Sequence, residues 1–205
     1  MIHLLVARPA EARPLVDRYG LREQPSGAFP LYRGDSMALV VSGGGKTAAA
    51  AAAGWLFAAA GGVVDGAWLG VGMAGHAELE IGTGLLAHKV VDAGSGECWY
   101  PPIVLEHPAP STTVVTVDRL DQDYEGAPLY DTEAAGLFAA AGRFATAELV
   151  HAFRIVADNH GATLGDNFAE DVMADLVASK LGLLDGWIEE LREMSELARR
   201  GGEAA

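Results

Sequence analysis

Leu149-Val150-His151-Ala152-Phe153-Arg154-Ile155-Val156-Ala157, closed by Asp158-Asn159, is the stretch on which the fold turns. Its hydropathy alternates and then runs continuously apolar, which reads as a strand. Upstream of it, Asp131-Thr132-Glu133 opens the small-residue run Ala134-Ala135-Gly136-Leu137-Phe138-Ala139-Ala140-Ala141, which reads as a buried helix. In an open α/β sheet, ligands gather outside the carboxyl ends of the strands, where Asp158 would stand. A carboxylate at a helix start and another at a strand end can therefore face one cleft. The same acids also fit a plainer reading, a glutamate near a helix N-terminal dipole and an ordinary loop aspartate. Spacing alone leaves both open.

Outward from this stretch, the pattern alternates strands and helices. Ile2 to Ala7 reads as a strand and Glu11 to Tyr19 as a helix after Pro9. Residues 28–33 and 36–41 read as a hairpin with Gly34-Asp35 at its turn. An Ala-rich helix follows Gly45, then strands over 67–71, 84–92 and 112–117. Between the last two, residues 94–110 carry four prolines and read as a loop. A helix over 131–143 and a strand over 148–157 come next. Two helices, 167–181 and 183–200, close the pattern, the second with Leu184, Trp187, Ile188, Leu191 and Met194 on one face. Residues 201–205 read as a flexible tail. The expectation is a single α/β domain over residues 1–200, a mixed β-sheet sandwiched by helices.

Composition narrows the function classes. The chain has 205 residues, 50% of them apolar, enough for one domain with a real core. Its formal net charge of -14 repels a polyanion, which argues against a nucleic-acid partner. A single cysteine, Cys98, excludes an internal disulfide and fits a reducing compartment. The first residues run into a strand pattern with no basic segment before a long apolar one, so no signal peptide is read there. Residues 48–64 are apolar but mostly alanine, interrupted by glycines and short for a span, and read as a buried helix and not a membrane segment. A cytoplasmic protein with no membrane partner is the expectation. No His/Cys/Asp cluster has ligand spacing, so neither a metal nor another cofactor is expected.

Gly43-Gly44-Gly45-Lys46-Thr47 invites a phosphate-loop reading, but that pattern needs a glycine five positions before Gly45, where Val40 stands. A tight strand-to-helix turn fits better. Glu11 fits a first-turn glutamate favourable to the helix dipole. Arg8 reads as a surface charge before a phosphate ligand, and His151, inside a strand, as structural. Trp99 and Tyr100 suit stacking on a base or covering the sheet equally well.

Several segments together, in order, resemble a known family. Val41-Ser42-Gly43-Gly44-Gly45-Lys46-Thr47-Ala48-Ala49-Ala50 is similar to a T-G-x-G-K-x-x-A-A loop and helix. Trp68-Leu69-Gly70-Val71-Gly72-Met73-Ala74-Gly75 resembles a strand ending in G-(S/T)-A-G, and Ile81-Gly82-Thr83-Gly84-Leu85-Leu86-Ala87 an I-G-D-(I/V)-V segment. Asp131-Thr132-Glu133-Ala134-Ala135 and Arg154-Ile155-Val156-Ala157-Asp158 resemble the D-M-E-A-A and (K/R)-x-(V/I)-S-D pair. These belong to the purine nucleoside phosphorylase and nucleosidase superfamily, which includes methylthioadenosine/S-adenosylhomocysteine nucleosidases. The resemblance spans roughly residues 1–180.

The resemblance implies a nucleoside phosphorylase-like three-layer αβα fold and a hydrolase that cleaves the N-glycosidic bond of a purine nucleoside, an adenosine substituted at 5′. It implies that Asp158 protonates the purine at N7, Glu133 holds the ribose hydroxyls and Glu11 activates water. It places Ala7, Met73, Ala74, Gly75, Asp131, Thr132, Arg154, Ala157 and Asn159 around the substrate, and it implies a homodimer, for which the apolar Ala-rich helix and the Trp187 face offer candidate surfaces that suit the core as well. The chain departs from the pattern at four positions. Met73 stands where Ser or Thr is usual, Thr132 for Met, Ala157 for Ser and His76 for Gly. Loss of a hydroxyl at 73 weakens a phosphate site more than a water site. The alternatives are a phosphate-dependent phosphorylase and a nucleoside-binding protein whose catalysis has decayed.

Overall fold

The computed structural model describes residues 1–62, 64, 66–104, 110–119, 124–162 and 169–202. In chain order these form β1 (Ile2–Val6), α1 (Pro9–Tyr19), β2 (Arg22–Gln24), β3 (Leu31–Arg33), β4 (Met37–Val41), α2 (Lys46–Ala59), β5 (Ala67–Gly75), β6 (Gly84–Asp92), β7 (Cys98–Trp99), β8 (Ser111–Thr116) and β9 (Leu129–Asp131). Then follow α3 (Ala134–Ala141), a single 3-10 turn at Ala147–Leu149, β10 (Val150–Asp158), α4 (Glu170–Ala178) and α5 (Leu181–Gly202).

All the strands join one mixed sheet in the order β10-β6-β8-β9-β5-β1-β4-β3-β2, with β7 on β6. A further pairing of β10 with β5 closes β5, β10, β6, β8 and β9 into a ring. The arm β1-β4-β3-β2 extends from β5 outside that ring. The sheet is therefore partly a barrel and partly open, and β5 belongs to both.

The two faces of the arm follow from period-2 side-chain alternation. Ile2, Leu4 and Val6 of β1, with Met37, Leu39 and Val41 of β4, face one core shared with Leu15 of α1, Val177 of α4 and Leu184, Trp187 and Leu191 of α5. Leu5, Ala38 and Val40 face the other, shared with Ala49, Ala52, Ala53 and Leu56 of α2 and Leu137 and Phe138 of α3. Burial on both sides explains why these strands read as near-continuous apolar runs. In α2 the buried residues fall at i, i+3, i+4 and i+7, so the alanine-rich helix lies on the core. Trp187 sits inside the other core, edge-on to Phe153 at 5.0 Å.

Alanine in α2 and α3 lets the two helices meet closely. A Cβ on Gly136 would stand 1.9 Å from the Lys46 carbonyl oxygen, so only glycine fits that contact.

Some expected boundaries shift. β5 runs on to Gly75, four residues past the expected end. The helix expected over 131–143 begins at Ala134, because Asp131 ends β9. Gly201 and Gly202 belong to α5 and not to a tail, while 203–205 and the expected helix start at 167–168 lie outside the described residues. The strands β2, β7 and β9 add to the expected set. Among the described residues, no helix is long and apolar enough to cross a membrane.

Candidate active site

β1, β4, β5 and β10 run parallel, so their carboxyl ends lie on one edge. β1 pairs with β5 only as far as Leu5 opposite Gly70, and β9 meets β5 only at Gly75. Between those points one side of β5 has no strand beside it. That gap is a topological switch point of the kind where α/β sheets bind ligands.

A cavity of ≈ 90 Å³ opens there, lined by Ala7, Arg8, Glu11, Gly44, Met73, Thr132, Glu133 and Met173. Glu11 is the third residue of α1, and its Oε2 accepts hydrogen bonds from the backbone N–H of Ala7 at 2.8 Å and Arg8 at 2.9 Å. A glutamate reaching back to the helix cap is half of a capping box. Its Oε1 accepts from the Met73 N–H at 3.3 Å, on the side of β5 that β1 has left. Burial pushes the Glu11 carboxyl up to about 7, with the Glu133 charge adding to the rise against the hydrogen bonds from Arg8 and Ala7.

Glu133 precedes α3. Its Oε1 accepts from the Gly45 N–H at 2.9 Å and from the Thr132 hydroxyl. The glycine turn thus supplies a backbone donor to the second carboxylate, with Gly43 and Gly45 at φ 82° and 96°. Burial, and then the charge of Asp131, raise the Glu133 carboxyl above its ordinary range. Lys46 turns elsewhere and bridges Asp92 at 2.7 Å and Asp118 at 3.0 Å.

Asp131 and Arg154 do not line the cavity. They form a fully buried ion pair at 2.7 Å between Asp131 Oδ2 and Arg154 Nε. Asp131 also accepts from the Thr116 hydroxyl at 2.6 Å and from the Ala134 N–H at 2.8 Å, so it caps α3. Arg154 Nη1 donates to the carbonyls of Gly70 and Phe153, both at 3.0 Å. The Arg154 charge also acts on Glu11 and Glu133, opposing the rise that burial gives each carboxyl. Asn159 is likewise engaged in its own turn, donating to Leu79 O and accepting from the N–H of Gly161 and Ala162. Ala74 and Ala157 are buried in the sheet.

Asp158 does not line the cavity; it ends β10 opposite Gly75, two residues along β5 from the lining residue Met73. The β5–β10 register slips between Val156 and Asp158, which leaves Ala157 as an extra residue and sets Asp158 opposite Gly75. Such a bulge re-aims the side chain that follows it. Asp158 Oδ2 accepts from the Tyr124 hydroxyl at 3.0 Å, and its Oδ1 is buried with no hydrogen-bond partner among the described residues.

The structure thus gathers Ala7, Glu11, Met73, Thr132 and Glu133 around one cavity, and leaves the paired Gly75 and Asp158 outside its lining. Arg8 is exposed, as its sequence position suggests, yet also lines the cavity. Trp99 and Tyr100 line a separate cavity of ≈ 350 Å³, where Trp99 packs against Phe138. His151 is buried, with Nε2 bonded to the Glu148 carbonyl. Tyr124 and Met173 escape the sequence reading, since neither carries a motif, and Gly45 reads there only as part of a turn and not as a donor to Glu133. Among the described residues no group of three His, Cys, Asp or Glu side chains could hold a metal ion.

No protein-family model and no curated protein sequence matches the chain. Solved structures do. Futalosine hydrolase of Helicobacter pylori superposes with a TM-score of 0.73 at 16% identity, covering 92% of this chain and 97% of that one. A mutant 5′-methylthioadenosine/S-adenosylhomocysteine nucleosidase of the same organism, with 5′-methylthioadenosine in its active site, gives 0.74 at 15%, covering 92% and 98%. The 5′-methylthioadenosine nucleosidase of Arabidopsis thaliana gives 0.70 at 18%, covering 93% and 95%. The chain has the nucleoside phosphorylase-like fold of these nucleosidases.

Proposed function

We propose that this protein is a nucleosidase that hydrolyses the N-glycosidic bond of a purine nucleoside, with a 5′-substituted adenosine as substrate. The observation that carries the reading is Glu11, a buried carboxyl held near pH 7 by its surroundings, with one oxygen on a cavity shared with a second carboxyl. A general base works best with a pKa close to the operating pH. In the reaction, a water in the cavity attacks the anomeric carbon and passes its proton to Glu11. The bond to the base breaks, its electron pair leaves with the purine, and Asp158 delivers a proton to N7. Glu133 holds the sugar hydroxyls through Oε2, since both its protein hydrogen bonds fall on Oε1. Its charge also stabilises the cationic character that develops on the sugar.

Charge favours water over phosphate as nucleophile. Among the described residues that line the cavity, Arg8 is the one cation, against Glu11 and Glu133, and Met73 brings no hydroxyl. A phosphate dianion there would meet more like charge than opposite charge. The test is to incubate the protein with 5′-methylthioadenosine, with and without phosphate, and identify both products. Adenine and the free thiosugar at a phosphate-independent rate are expected. A sugar 1-phosphate as main product would overturn the hydrolase reading.

A further inference from the structure

Asp158 already has an aromatic partner. The Tyr124 hydroxyl donates to its Oδ2 at 3.0 Å, and Tyr124 is only 4% exposed. The ring lies directly on the bare backbone of Gly75, where an added Cβ would stand 2.0 Å from Cζ and 2.2 Å from the hydroxyl oxygen. On its other sides it stacks on His160, with centroids 6.1 Å apart and planes 19° apart, and tilts against Tyr130 at 5.5 Å. This is a slot for a flat ring, walled by glycine backbone and two aromatic side chains. The ring in it presents a polar atom to Asp158. The cavity of ≈ 90 Å³ at Glu11 and Glu133 is also far below the roughly 300 Å³ and more that small-molecule sites offer, so sugar and base together do not fit in it.

We propose that Tyr124 occupies the position of the purine and competes with it for Asp158, so that displacement of this side chain sets the affinity for the base. The proposal rests on the nucleosidase reading. A flat ring with a hydrogen-bonding edge describes both occupants, and the second Asp158 oxygen, buried without a partner among the described residues, is the polar atom that a purine edge would satisfy and a phenol does not. Binding through a conformer that is only a fraction of the free protein lowers apparent affinity by that fraction. Weakening the Tyr124 contact therefore strengthens binding of the base.

Calorimetric titration of adenine into the parent protein, Tyr124→Phe and Tyr124→Ala tests this. Tyr124→Phe keeps the ring and loses one hydrogen bond, so adenine should bind about three- to tenfold tighter. Tyr124→Ala empties the slot and should bind it at least about tenfold tighter than the parent. An unchanged or weaker affinity in Tyr124→Phe overturns the proposal, whether or not the alanine variant folds. If that result comes with continued release of adenine from 5′-methylthioadenosine, Tyr124 is a fixed wall of a working nucleosidase. If the parent and both variants neither bind adenine nor release it, the nucleosidase reading itself fails, and the competition with it.

Discussion

Glu11 serves two groups at once. One oxygen closes the start of α1 on Ala7 and Arg8, while the other meets the Met73 N–H beside the cavity. The helix-start reading and the catalytic reading thus describe two ends of one carboxyl. Its raised pKa has a cost for stability with a definite sign. An acid held at about 7 in the fold, against 4.5 ordinarily, binds its proton more tightly folded than unfolded. The stability from that proton is full below the unfolded value and is lost as pH rises through about 7, to about 3 kcal/mol. Glu11→Gln keeps an oxygen for the two cap donors and cannot ionise. Its loss of melting temperature between pH 5 and pH 8 should be smaller than the parent's, while turnover at pH 8 falls by about 10²–10⁴. Asp158→Asn also keeps an acceptor for Tyr124, so it should fold normally and lose at least about a hundredfold in turnover. A near-parental rate in either variant would sink the mechanism. These carboxyls were legible because they stand at element ends next to apolar runs. Tyr124 was not, because its contact with Asp158 joins segments 34 residues apart, and nothing local marks such a pairing.

Among the elements, the long strands, the helices and the β3–β4 hairpin could be read from the sequence, and the short strands β2, β7 and β9 could not. Arg22-Glu23-Gln24 of β2 is mostly exposed and lacks an apolar face to betray it. The end of β5 hides behind Gly72 and Gly75, which dilute the pattern just where Glu11, Arg154 and Tyr124 press on the strand. The bulge at Ala157 is invisible for a further reason: it exists only in the register between two strands. Helix α3 illustrates how tightly elements and site are linked. Its first turn is held by Asp131 and by Thr116, whose hydroxyl accepts from the Ala135 N–H at 3.0 Å, and Gly136 in that same turn presses on the start of α2. Gly136→Ala must push Lys46 backbone away, which should cost about 1–3 kcal/mol in urea unfolding. Because Gly45 immediately precedes Lys46 and holds Glu133, the same variant should also lose activity at temperatures where it is still folded. Full activity together with full stability would show that the contact is slack.

At the scale of the whole molecule, the expectation of a homodimer rests on the family resemblance alone. Of the two surfaces that the sequence offered for it, Trp187 is fully buried, while α2 turns one face to the sheet and keeps Thr47, Ala51, Ala58 and Ala59 exposed on the other. Tyr100, Ile103 and Val104 are exposed apolar residues close together in the chain after β7, and they are better placed to meet a second copy. Sedimentation at micromolar concentration should give a dimer that becomes monomeric in an Ile103→Glu, Val104→Glu double variant. A parent that is monomeric and fully active would contradict this.

The closed ring has a consequence for how the chain comes to be folded. β5 and β6 are made early, yet each relies for one flank on β10, in which Val150 pairs with Trp68 and Phe153 with Leu86. Until β10 emerges during synthesis, both strands present open, apolar edges of the kind that recruit other chains. Their pairing is distant in sequence and therefore slow to form. The strand that ends in Asp158 is thus also the stave that seals the barrel, so the acid takes its place only as the ring closes.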